Sequence, residues 1–307
     1  MTAIIDNITT NRTIGIELEV IRDANTTYGD LAEHCRNSLN ARISNNSGIE
    51  AEGYNHITRD HWKIVSDGSL GSSGAEIVSP ILGGDVQKLR SAIEHIRAIC
   101  DGANDHVRIN SSCGFHCHVG VSDLTLQQVK NVLKAWVKYE WVFFSFVSPS
   151  REGSYSRRIR LTNRFQTQSS RYESAMFQRI DGANDLQELI SVFQGGSRFR
   201  ALNIENIATR GTIECRLHQG TIDADKVINW MLLFSGLVDG FKNSRLRYSR
   251  LACNESQTDH GARGQLTVDK GIRRLFKNIY KNNAKALRKF YQLRAKNFNK
   301  IDGQRIN

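Results

Sequence analysis

Residues 13–22 read TIGIELEVIR. Ile14, Ile16, Leu18 and Val20 alternate there with Gly15, Glu17, Glu19 and Ile21. Alternation at period two, rich in β-branched residues, predicts a strand. Residues i and i+2 of a strand share a face, so Glu17 and Glu19 stand side by side, opposite an apolar face. Like charges that close repel. A solvent-exposed strand face is the ordinary explanation. A hard cation is the other, because Mg²⁺ takes oxygen ligands and keeps some of its waters.

Three more segments carry ligand-type residues on predicted strands. HWKIVS (61–66) and GAEIVS (74–79) read as two strands joined by the turn-rich DGSLGSS, with Pro80 ending the second. Glu76 sits in the second strand, where its apolar neighbours leave it needing a partner. Asp67 and Ser69 lie in the turn, and Asp-Gly turns occur for local backbone reasons. GFHCHVGV (114–121) places His116 and His118 on one strand face and Phe115 and Cys117 on the other. Two histidines on one face suit a metal or a phosphate. Cys113 and Cys117 lack a second pair at zinc-finger spacing. GTIECRLHQG (211–220) presents Glu214 and Arg216 at i and i+2. A cross-strand ion pair explains them, or a ligand beside a phosphate clamp, which the planar guanidinium fork suits. Arg198, Arg200 and Asn203 in SRFRALN, and Arg151, Arg157, Arg158 and Arg160, fit either a solvated loop or an anion-binding one.

Helices are predicted over 28–42, over 84–101 with Asp85 as N-cap, over 124–145 with Ser122 and Asp123 as caps, over 184–194 and over 224–241. Residues 43–60 read as a loop or short hairpin, 148–183 as a long loop with short helices, and ALNIENIA (201–208) as a strand pairing 211–220. This order predicts an α+β fold, an antiparallel sheet with helices packed on one face, plus a helical C-terminal region. The expected division is a catalytic domain over 1–250 and a basic helical extension over 251–307.

The formal net charge is +11, with much of the excess at the C-terminus. It fits a solvated basic surface or an anionic partner. Six cysteines follow no framework spacing, which argues against a disulfide scaffold. The N-terminus lacks the pattern of a signal peptide. No apolar run approaches the ~20 residues that span a bilayer. The expected location is therefore cytoplasmic, without a membrane partner.

The ordered set GIELE, DGSL, EIVSP, GFHCHVG, LN and GTIECRLHQGT resembles the amidoligases of the carboxylate–amine ligase group, relatives of glutamine synthetase and glutamate–cysteine ligase. The resemblance spans roughly residues 13–240. It implies a glutamine-synthetase-like sheet and an ATP-dependent reaction through an acyl phosphate, ending in an amide. It also implies two or three Mg²⁺ or Mn²⁺ ions. By that similarity Glu17 holds one metal, with His116 and Glu214; Glu19 holds another, with Glu76. His118 touches a phosphate oxygen of ATP, and Arg216 steadies the phosphoryl group in transfer. Asp67 stands in for a third carboxylate. Arg198, Arg200 and Asn203 fall to nucleotide binding, and Arg151 with Tyr155 to a loop closing over the acyl phosphate. The partners implied are ATP, a carboxylate substrate (amino acid, peptide or cell-wall-like) and an amine, on a monomer or dimer.

Two other readings use the same residues. One is a metal-dependent hydrolase or nuclease. The other is a nucleic-acid or acidic-polymer binding module built on the tail, 266–300, where basic residues interleave with Phe276, Tyr280, Phe290 and Tyr291. Those aromatics would either stack bases or pack the helices onto the domain.

Overall fold

The computed structural model describes residues 8–44, 48–152, 156–159, 169–195, 197–246, 268–281 and 283–298. The elements, in chain order, are β1 (Thr13–Arg22), α1 (Tyr28–Arg42), β2 (Ile49–Ala51), β3 (Trp62–Ser66), β4 (Gly74–Val78), β5 (Leu82–Gly83), α2 (Val86–Ala103), β6 (Val107–Arg108), β7 (Gly114–Gly120), α3 (Leu126–Phe144), α4 (Ser169–Gly182), α5 (Leu186–Gln194), β8 (Leu202–Asn203), α6 (Ile207–Arg210), β9 (Thr212–Gln219), α7 (Ala224–Phe241), α8 (Val268–Tyr280) and α9 (Lys285–Asn297). Short 3₁₀ turns occupy Gly68–Leu70 and Pro149–Glu152. The fold is α+β, and its strands pair mostly antiparallel. No helix among the described residues is long and apolar enough to cross a membrane.

The chain divides into two compact units. The first comprises Thr9–Gly120 and His218–Ser235. Its strands run β2-β3-β4-β1-β7, with β5 and β6 flanking β1. Ile14, Ile16, Leu18 and Val20 are each at most 2% exposed. Burying each such side chain contributes about 1.5–3 kcal/mol. Helix α1 packs on α2 and β3, and α2 on β5. Any side chain at Gly102 would meet the Cα of Cys35 at 2.7 Å, so glycine permits the close approach of α1 and α2. Thr27 and Asp30 cap α1 reciprocally, and Asp85 caps α2 by accepting from the Lys88 N–H at 2.7 Å, as its sequence predicts.

The second unit comprises the described parts of Val121–Leu217 and Gly236–Asn307, with the N-terminal stretch ending at Ile8. Helix α3 is buried along most of its length. Its polar side chains are satisfied: Lys134 Nζ lies 2.6 Å from Asp181 Oδ1, and Glu140 Oε1 accepts from the Ile159 N–H at 2.9 Å. Helices α8 and α9 pack together and α8 packs on α3. A side chain at Gly271 would strike the Trp141 ring at 2.4 Å.

Several expectations shift. The cap of α3 is Thr125, in a reciprocal box with Gln128, two residues beyond Asp123 and three beyond Ser122, the predicted caps. Residues 43–60 contain β2, which pairs parallel with β3. The expected strand over 201–208 shrinks to β8, because the Asn203 side chain accepts from the Glu205 N–H at 3.0 Å and turns the chain into α6. The segment 148–183 includes the 14-residue helix α4. Tyr155, Arg160, Cys253, Lys300 and the boundary expected near 250–265 lie outside the described residues.

Candidate active site

Strand β1 lies between β4 and β7, and both registers serve one face. Glu17 stands directly across from His116, Gly15 from His118, and Glu19 from Glu76. Such partners have Cβ atoms about 4.5–5.5 Å apart. The opposite face pairs Leu18 with Phe115 and Ile16 with Cys117, all buried. Gly15 leaves room for the imidazole beside it, since a Cβ there would sit 3.3 Å from His118 Cβ.

His116 bridges the two carboxylates of β1. Its Nδ1 is 3.2 Å from Glu17 Oε2 and its Nε2 is 3.5 Å from Glu19 Oε1. His118 Nε2 is 3.2 Å from Glu17 Oε1. The Gly114 N–H donates to Glu19 Oε2. Burial pushes the Glu17 carboxyl up, but the His118 charge and hydrogen bonds from His116 and His118 outweigh it, holding it well below the usual carboxylate range.

Glu19, Glu76 and His116 each offer one ligand atom, all within 4.8 Å of one another. Two carboxylates directly opposed on a sheet destabilise it unless a cation lies between them. The donor set, two carboxylate oxygens and an imidazole, fits a divalent cation such as Mg²⁺ or Mn²⁺.

In the other unit, β9 carries its own polar group. Arg216 Nη1 donates to Glu214 Oε1 at 2.5 Å, while Asn203 Nδ2 donates to Glu214 Oε2 at 2.8 Å. Asn206, which sequence reasoning passed over, approaches the same oxygen at 3.4 Å. Its only signal was an amide three residues beyond Asn203. Arg151 is buried, and its guanidinium donates to the main-chain carbonyls of Arg216 and Leu217 at 2.9 and 3.3 Å. Arg200 is also buried and donates to the Gln194 and Ile159 carbonyls. Arg198 lies over the Phe199 ring at 5.1 Å. Asp67 caps the turn after β3, accepting from the Ser69 N–H at 2.8 Å. The structure thus gathers Glu17, Glu19, Glu76, His116 and His118 in one unit, and Asn203, Glu214 and Arg216 in the other. Arg151 and Arg200 bind backbone.

Cys35, Cys100, Cys113, Cys117 and Cys215 are free and buried. Burial raises the thiols of Cys35, to about 12, and of Cys113. Such thiols are poor zinc ligands, because the thiolate is the ligating form.

A sequence family described as "Putative amidoligase enzyme" matches residues 10–238. The chain belongs to this amidoligase family. Membership supports an amide-bond-forming, carboxylate–amine ligase. Among solved structures, the chain is similar to a GmaS/ADP complex at 13% identity and TM-score 0.41, covering 96% of this chain and 71% of that one. It is also similar to the complex between the prokaryotic ubiquitin-like protein Pup and its ligase PafA, at 9% identity and TM-score 0.39, covering 97% and 67%. No curated protein sequence matches the chain.

Proposed function

We propose that this amidoligase is ATP-dependent and couples a carboxylic acid to an amine through an acyl phosphate. The observation that carries the reading is the register of β1, which sets Glu19 directly against Glu76 beside His116. Glu19, Glu76 and His116 would hold one divalent cation; Glu17 with His116 would serve a second. Bound there, Mg²⁺ or Mn²⁺ supplies neutralisation of the phosphate charge.

The chain's own residues account for the rest. Phosphoryl transfer needs positioning and charge neutralisation more than covalent chemistry. The substrate carboxylate oxygen attacks the γ-phosphorus of ATP, the bond to the β-phosphate oxygen breaks, and ADP leaves. The amine nitrogen then attacks the acyl carbon, phosphate leaves, and the amine gives up a proton. His118 fits a contact to a phosphate oxygen. Glu214 and Arg216 carry the family's remaining positions. Arg216, held by Glu214, offers a preoriented fork for the phosphoryl group in flight. Arg151 acts as a positioning residue by fixing the backbone of Arg216.

The test is ADP and phosphate release from Mg²⁺–ATP with a mixed pool of amino acids and peptides, read with new amide-linked masses. Release that requires both an acid and an amine supports the ligase. Metal binding without ATP turnover would sink it and favour hydrolysis.

A further inference from the structure

The two C-terminal helices hold most of the chain's excess charge. Residues 268–297 contain ten Lys and Arg against one acidic residue, Asp269, a net of +9 out of +11 for the whole protein. The charge is also ordered. On α8, Lys270, Arg274, Lys277 and the following Lys281 recur at helical spacing, so they share one face. Ile272, Leu275 and Phe276 lie on the opposite face and are buried. On α9, Lys285, Lys289 and Lys296 form a second stripe, opposite the buried Leu287, Tyr291 and Ala295. Lys277, Lys281, Lys285, Lys289 and Lys296 are exposed, and no acidic side chain among the described residues pairs with them. Core packing explains the apolar faces. It gives no reason for the basic ones.

We infer that the basic faces of α8 and α9 dock an acidic polypeptide, a segment rich in Asp and Glu. Three observations select this occupant over a nucleic acid. Phe276 and Tyr291 are 2% and 1% exposed and pack against each other with centroids 6.0 Å apart, so these two rings offer no face on which bases would stack, and Tyr280 and Phe290 are only half-exposed. The exposed unpaired cations are lysines, point charges without the fork that binds phosphate bidentately. The reaction proposed above consumes a carboxylate, and a chain of carboxylates complements a lysine stripe. The inference rests on that reading for the fate of the docked chain, which would supply the acid or the amine; docking itself needs no catalysis. Opposed surface fields of this kind act mainly on encounter and local concentration.

The experiment measures binding of a fluorescein-labelled oligoglutamate peptide to the full chain by anisotropy, at low salt and at physiological ionic strength. A single-stranded oligonucleotide of equal charge and phosphatidylserine vesicles serve as competitors. The test variant is K277E/K281E/K285E/K289E, with the four-glutamine version at the same positions in case charge reversal impairs folding, and thermal unfolding of each as the folding control. The expected result is at least a tenfold loss of peptide affinity in a folded variant, and weakening of the parent complex by salt. Unchanged affinity in a folded variant overturns the inference. Tighter binding of the oligonucleotide or of vesicles than of the peptide overturns it as well. The substitution Glu76→Gln separates the two readings. Peptide binding that survives in it and in the parent, with no ligation by either, leaves the docking surface standing and the ligase fallen. Ligation of small substrates without peptide binding does the reverse.

Discussion

Glu19, Glu76 and His116 form a cluster of two glutamates and a histidine, and so do Glu50, Glu52 and His61, in the same unit. Composition does not tell them apart. Their surroundings do. Glu52 is neutralised by Arg59, whose guanidinium donates to both of its oxygens at 2.9 Å, and His61 adds a contact of 3.1 Å. Glu50 is exposed to water. That cluster is a surface ion-pair network complete in itself. The β1 cluster instead stacks two glutamates across a register, and Glu19 is 9% exposed. Glu52 has an arginine fork on its carboxylate, whereas Glu19 meets a second carboxylate, Glu76, directly across the strand pair.

The two clusters should respond differently to substitution and to metal. The largest expected difference is in turnover. Glu76→Gln should cut amide formation by more than ~100-fold, beyond what loss of a group merely supporting a ligand costs, while Glu50→Gln leaves the rate unchanged. A steady-state assay of both variants decides it. Next comes metal linkage. Divalent cation at about 100 times its Kd should stabilise the parent by ~2.7 kcal/mol. Calorimetry should show that gain lost in Glu19→Gln and kept in Glu52→Gln. Equal loss in both would move the metal to the wrong cluster.

A smaller effect has the opposite sign. Without metal, Glu76→Gln should raise stability by up to ~1 kcal/mol, because it removes a like charge directly across the sheet. Denaturant unfolding in chelator reads this, and a destabilised variant would mean that the other contacts of Glu76 outweigh its repulsion by Glu19. The smallest effect concerns the surface network. Hydrogen bonds from Arg59 hold the Glu52 carboxyl down at about 2. A lowered folded-state value gives stability that is present above the unfolded value, near 4.5, and is lost as pH falls toward 2. Arg59→Ala should therefore cost little stability at neutral pH, because the pair is screened by solvent, and should flatten the acid dependence between those limits.

Helices α1, α2, α3, α5 and α7 and strands β1, β4 and β7 were legible because each has a local signature; α4 and α6 were not. Period-two alternation marks β1 and β7, and helical periodicity with Asp85 ahead of it marks α2. Strand β2 was not legible: three residues are too short to show a period, and a parallel partner leaves no hairpin signal. The strand expected over 201–208 failed because the Asn203 side chain competes for the backbone. Arg151 and Arg200 read as solvated or anion-binding because charge predicts exposure. Their burial depends on main-chain carbonyls from distant segments, which no local pattern announces.

By itself the sequence determined which side chains share a face of each strand and where the positive charge is concentrated, since both follow from backbone period and residue identity. The direct opposition of Glu19 to Glu76 and of Glu17 to His116, which the resemblance implies only as shared sites, is a matter of tertiary structure. Strand order and register are set by hydrogen bonds between segments far apart in the chain, and a slip of one residue would turn the same glutamates into the apolar core.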